Sequence, residues 1–159
     1  WFVALRDPAL RGLFAKRLSE RELAILDRAI PETGVLSGNM VVFPDRTVPL
    51  SSLTRKEWVL KPPAGSSAQG IFIGHYTNRG RWDQVCSEAD SSGALLQRYF
   101  MPKERVTVLG PDGEPTEGDY HMKYGAFLYG GTVAGCEVMA RPQPLVHGAR
   151  DTYFSTCTW

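Results

Sequence analysis

The pair Gly130-Gly131 stands between two apolar runs, His121 to Tyr129 and Thr132 to Ala140. A two-residue type I′ turn needs positive φ at both central positions, which glycine adopts without steric penalty. The late part of the chain is therefore expected to fold back on itself as an antiparallel β-hairpin. Pro111-Asp-Gly113 marks another turn, inside a polar loop read from Gly110 to Asp119.

Earlier segments follow other periods. Residues 1–30 read as helical, with Leu5, Leu10, Leu13, Phe14 and Leu18 as an irregular apolar stripe and a break near Asp7-Pro8. Ser19-Glu-Arg-Glu22 is a capping box, followed by Leu23, Leu26 and Ile30 on one helical face and by Pro31 as a stop. Residues 31–56 are rich in glycine and proline and read as loop, with one short strand at Val41-Val-Phe43. Trp58-Val-Leu60 and Ile71-Phe-Ile73 flank a glycine-rich stretch and suggest a hairpin. Asn78 is placed to cap a helix whose Trp82, Val85, Cys86 and Ala89 share a face. Ala94-Leu-Leu96 begins a further strand. The expected class is α+β, with an antiparallel sheet and packed helices.

The 159 residues suit one domain or one lobe of a larger protein. A net charge of +1 gives no global field to attract nucleic acid or an acidic membrane. No apolar run approaches the roughly 20 residues of a membrane span, and no signal-peptide pattern is present. Cys86, Cys136 and Cys157 lack C-x-x-C spacing, which points to reduced thiols and a cytoplasmic setting. The chain starts at Trp1 and ends on the strand-like stretch Thr152 to Trp159, so a fragment of a longer polypeptide is expected. Apolar surface left by a missing part would favour self-association.

Three segments are candidates for chemistry. Lys61 ends a strand and precedes Gly65, Ser66, Ser67, Ala68, Gln69 and Gly70. Small residues let backbone N–H groups approach phosphate oxygens, and a lysine beside them acts as a point charge. The spacing is neither Walker A nor the Rossmann turn, and a surface hairpin with a solvated lysine fits it too. Leu95-Leu-Gln-Arg-Tyr-Phe-Met-Pro-Lys103 is apolar, then amphipathic, then stopped by Pro102. Such a strand can wall an adenine slot and present backbone groups at its edge; a core strand with Tyr99 and Phe100 packed inside is the alternative. Arg141, at a strand end, can clamp a phosphoryl group or be solvated. His121 and Lys123 share one side of the neighbouring strand, facing a cleft or forming the polar face of a half-exposed sheet.

Taken in order, these blocks resemble the C-terminal part of the circularly permuted ATP-grasp family, typified by glutathionylspermidine synthase. Lys61-Pro-Pro-Ala-Gly65 resembles its K-P-x-x-G phosphate loop, and Leu95 to Lys103 its adenine hinge. Tyr124-Gly-Ala-Phe-Leu-Tyr-Gly-Gly-Thr-Val-Ala-Gly135 resembles its late hairpin, closed by Arg141. Ile30-Pro-Glu-Thr33 resembles its i-P-x-T turn.

The resemblance implies an incomplete ATP-grasp fold, with residues 1–56 leading into a nucleotide-binding portion over 57–159. It implies ATP and Mg2+ as cofactors, and unknown carboxylate and amine substrates joined through an acyl phosphate. Lys61 becomes a phosphate ligand and Gly65, Ser66, Ser67, Gln69 and Gly70 the lid. Gln97, Arg98, Tyr99, Phe100 and Met101 become the adenine hinge, and Arg141 a phosphate or acyl-phosphate contact. The family's magnesium ligands fall upstream of Trp1, and no E-x-N occurs in this chain. That departure motivates a second possibility, a non-catalytic ATP-grasp-like binding or assembly module. An unpermuted enzyme resembling D-alanine–D-alanine ligase would need metal ligands after Arg141, where only His147, Asp151 and hydroxyl residues stand.

Overall fold

A computed structural model of the chain describes residues 2–64, 68–89, 92–100, 103–146 and 151–157. The chain divides into two compact units, Trp1–Phe100 and Met101–Trp159. Each is built on an antiparallel sheet, and the α-helices among the described residues belong to the first, so the class is α+β. None of these helices is long and apolar enough to cross a membrane.

The first unit opens with α1 (Phe2–Arg6), α2 (Pro8–Phe14) and α3 (Glu20–Ala29). The break falls at Asp7-Pro8, as expected. Pro8 has no N–H to donate and takes the first helical position, while the Asp7 side chain accepts from Ala9 N–H at 2.8 Å. Ser19 and Glu22 close the capping box that starts α3. Arg6 ties α1 to the end of α3 by donating to the Asp27 carbonyl at 2.7 Å and the Ile30 carbonyl at 2.5 Å.

Six strands follow: β1 (Thr33–Ser37), β2 (Met40–Val42), β3 (Thr47–Pro49), β4 (Trp58–Lys61), β5 (Phe72–Ile73) and β6 (Leu95–Arg98). They form one sheet in the order β3-β2-β1-β6-β4-β5. The stretch expected to be mostly loop, 31–56, thus holds a three-stranded meander from Thr33 to Pro49, followed by short 3-10 turns. It shares its sheet with β4 to β6, so position 56/57 lies inside a compact unit. The β4–β5 hairpin forms as the sequence suggests, with Val59 opposite Ile73 and Leu60 opposite Phe72.

Between β5 and β6 runs α4 (Arg79–Ala89), capped by Asn78, whose side-chain oxygen accepts from Arg81 N–H at 2.8 Å. Trp82, Val85 and Cys86 of α4 join Leu36, Trp58, Leu60 and Leu96 in the core. Burying each such large apolar side chain is worth about 1.5–3 kcal/mol. Because strand side chains alternate, Val59, Lys61 and Gln97 lie on the opposite face of the sheet.

The second unit is a sheet of β7 (Lys103–Leu109), β8 (Pro115–Tyr129), β9 (Thr132–Arg141) and β10 (Tyr153–Cys157), in the order β10-β9-β8-β7. Gly130 and Gly131 have φ of 57° and 80°, as a type I′ turn demands. The β7–β8 turn is tighter than the polar residues suggest, since Pro115 to Asp119 already pair with β7. One face gathers Val106, Val108, Tyr120, Met122, Val138, Ala140 and Tyr153. The other carries the ion pairs Lys103–Asp119 and Arg105–Glu117. This is the alternation of a sheet with one apolar face.

Candidate functional site

Lys61 closes β4, and the glycine-rich stretch links it to β5. Gly65, Ser66 and Ser67 lie outside the described residues. Gln69 and Gly70 sit in the turn that returns to β5. Ala68 and Gly70 have φ of 62° and 71°. A side-chain carbon added at Gly70 would lie 3.4 Å from Pro62 Cγ, so the two ends of the loop close on each other at its base.

β6 lies beside β4 with Val59 opposite Gln97 and Lys61 opposite Leu95. Lys61 and Gln97 are therefore diagonal neighbours on one face. Lys61 Nζ donates to Gln97 Oε1 at 2.5 Å, and Gln97 Nε2 donates to Thr33 Oγ1 at 3.0 Å. Thr33 stands opposite Gln97 on β1 and donates its own hydroxyl to the Pro31 carbonyl at 2.9 Å. A polar line thus crosses β4, β6 and β1. Gln97 and Thr33 are buried, and these bonds offset their loss of water.

Lys61 is half-buried, and burial pushes its ammonium below the usual lysine value. Among the described residues no carboxylate pairs with it; the partner is the neutral amide of Gln97. A partly desolvated cation without a counter-charge favours an anion beside it.

The other expected hinge residues go elsewhere. Arg98 follows Gln97 and so points to the opposite face. There it pairs with Glu57 at 2.9 Å and lies 5.6 Å from the Trp58 ring centre. Tyr99 donates its N–H to the Glu57 carbonyl at 2.8 Å and packs edge-on against Tyr76. Burial raises its phenol pKa above the ordinary tyrosine value. Phe100 is 66% exposed, so it does not pack inside a core, and Met101 lies outside the described residues. β6 itself stops at Arg98.

Arg141 belongs to the second unit and ends β9. Its Nε donates to Asp151 Oδ1 at 3.0 Å and its Nη1 to the Leu145 carbonyl at 2.6 Å. With its side chain 14% exposed, it braces the connection from β9 to β10; it is not a solvated strand-end arginine. His147 lies outside the described residues.

His121 is buried, in register with Lys103 on one side and Arg141 on the other. Lys123, two residues on, is exposed. Burial first, and Lys103 second, hold the His121 imidazolium below the usual histidine value. The unfolded chain takes up this proton near pH 6.5. The folded chain binds it less well, so its contribution is present above about pH 6.5 and is lost progressively as pH falls from there through the lower folded value. Urea unfolding between pH 7.5 and 5 should show stability falling on acidification, and His121→Gln should flatten part of that slope. Equal slopes would assign the effect to other groups.

Thr33 is the participant that sequence reasoning leaves out of the site. Its signal is the Ile30-Pro-Glu-Thr33 turn, which marks a position without revealing the strand beside it. Among the described residues, no three His, Cys, Asp or Glu side chains gather as a metal site requires. Set against family models, curated proteins and solved structures, the chain matches none.

Proposed function

We propose that this chain is the ATP-binding portion of an ATP-dependent carboxylate–amine ligase of the ATP-grasp type. One observation carries the proposal: Lys61, half-buried and without a carboxylate partner among the described residues, is held by Gln97 at the foot of the glycine-rich loop. The order of the blocks along the chain supports it. Lys61 would meet a nucleotide phosphate as a point charge, with backbone N–H groups of the loop as further donors. Gln97 keeps the Lys61 ammonium aimed by accepting a hydrogen bond from one of its three N–H groups, leaving two to donate to phosphate oxygens.

In the reaction, the γ-phosphoryl group of ATP passes to a carboxylate oxygen and ADP leaves. The amine then forms a bond to the acyl carbon, and inorganic phosphate departs. Magnesium, when bound, would offset phosphate charge. Among the described residues no three His, Cys, Asp or Glu side chains gather, and the proposal for this chain's own residues is confined to the nucleotide.

Calorimetric titration with Mg-ADP tests this directly. The chain should bind with a dissociation constant below about 1 mM, and Lys61→Ala should weaken binding by about tenfold or more, roughly 1.4 kcal/mol. Matching thermal unfolding curves would show that the variant folds. No heat at millimolar nucleotide, or an unchanged affinity in Lys61→Ala, would overturn the proposal.

A further inference from the structure

Beyond His121, β8 loses one neighbour. β7 pairs with it only over Pro115 to His121, and β10 pairs with β9 only over Cys136 to Ala140. Among the described residues, 122–129 therefore pair on one side only, 122–126 with 136–140, and the tip is a two-stranded ribbon of 127–129 with 132–135. A two-stranded ribbon is marginal in water by itself. Phe127, Leu128 and Tyr129 are nonetheless 55%, 70% and 85% exposed. Tyr124 to Ala134 contains no charged residue and no proline, the usual guards of an open strand edge.

The two edges of the ribbon differ. On β9 the register slips between Phe127↔Gly135 and Leu128↔Val133, so Ala134 has no partner and that edge is blunted by a bulge. β8 keeps an unbroken run. We propose that the outer edge of β8, from Lys123 to Tyr129, pairs antiparallel with the same edge of a second copy of this chain, about a twofold axis through Ala126.

Self-complementarity identifies the occupant as a second copy. With Ala126 facing Ala126, Phe127 of each copy covers Gly125 of the other, and Tyr124 meets Leu128. Lys123 meets the ring of Tyr129, and no like charges oppose each other. Moving the axis to Gly125 sets two glycines face to face and leaves Phe127 against Lys123. A twofold arrangement makes each favourable pair occur twice. One strand pairing buries less than about 1,200 Å², so the dimer is transient and concentration-dependent. The inference is independent of nucleotide binding, and either can fail without the other.

Sedimentation velocity tests it. The chain should pass from monomer toward dimer between about 1 and 100 μM. Ala126→Lys sets two ammonium groups opposite each other and should weaken association by at least about tenfold. Ala134→Lys, on the bulged edge, should associate like the parent. Hydrogen exchange on the unsubstituted chain gives a second measurement, with protection of residues 123–129 rising with concentration and that of 132–135 unchanged. A monomer throughout that range, an Ala126→Lys variant that associates normally, or protection gained on 132–135 instead would overturn the proposal.

Discussion

Replacing Trp58 with alanine should lower the unfolding free energy by about 3–5 kcal/mol, a large share of the roughly 5–15 kcal/mol that holds a domain together. Trp58 is 2% exposed and shares the core of the first unit with Leu36, Leu60 and Leu96 of the sheet and Trp82 and Val85 of α4. Its ring lies 5.5 Å from that of Phe43, and Arg98 lies over it. Truncation would leave a cavity lined by elements from both halves of the unit, none of which can close it alone. The indole N–H is buried without a hydrogen-bond partner among the described residues. Trp58→Phe removes that unsatisfied donor along with part of the ring, so it should cost far less, about 1 kcal/mol. Urea unfolding followed by the remaining tryptophans measures both. A cost below 1 kcal/mol for Trp58→Ala would mean that the core lies elsewhere.

Gly74→Ala should cost about 3–5 kcal/mol, through crowding and not through backbone conformation. Gly74 donates its N–H to the Trp58 carbonyl at 2.9 Å, and its own carbonyl accepts from the Arg55 guanidinium. The same guanidinium reaches the Thr77 carbonyl. A Cβ on Gly74 would overlap the Arg55 carbonyl oxygen and lie 2.9 Å from its carbon. Both atoms are backbone, so no rotamer change relieves the clash. The turn after β5 must move away from Arg55, and the charge-assisted bonds are lost with it. Gly93 provides the contrast, with a φ of 68° and open space around it. Gly93→Ala should cost only about 1 kcal/mol of backbone strain. Thermal unfolding of the two variants separates the effects, and equal losses would refute the steric argument.

Local chemistry made much of this molecule legible. The Ser19–Glu22 capping box, the Asp7-Pro8 break and the Asn78 cap each act within a few residues, and all three form. Gly130-Gly131 specifies its turn because few other residues tolerate that backbone. Trp82, Val85 and Cys86 take the buried side of α4 as their spacing requires. Strands without a local signature are not legible in this way. β1, Thr-Gly-Val-Leu-Ser, is too short and mixed to show a period, and it is a strand because β2 and β6 flank it. β7 was likewise not distinguished from its surroundings.

The candidate site divides along the same line. Residue type and order singled out Lys61, Gln97 and the loop between β4 and β5. The resemblance groups Arg98 with Gln97 in the adenine hinge, yet period-two alternation sends it to Glu57 and Trp58 on the other face. Arg141 was singled out as a cation at a strand end, and the β9–β10 connection engages it.

The sequence by itself determined the helix starts, the two hairpins with glycines in their turns, and the residue types that an anion would need. The tertiary structure alone decided that β6 inserts between β1 and β4, which joins Thr33 to Gln97 across 64 positions and Gln97 to Lys61 across 36. The physical reason is that caps and turns are satisfied within a few residues, whereas a strand's neighbours are chosen by where its hydrogen bonds and apolar face can be buried. No local window of sequence contains that choice.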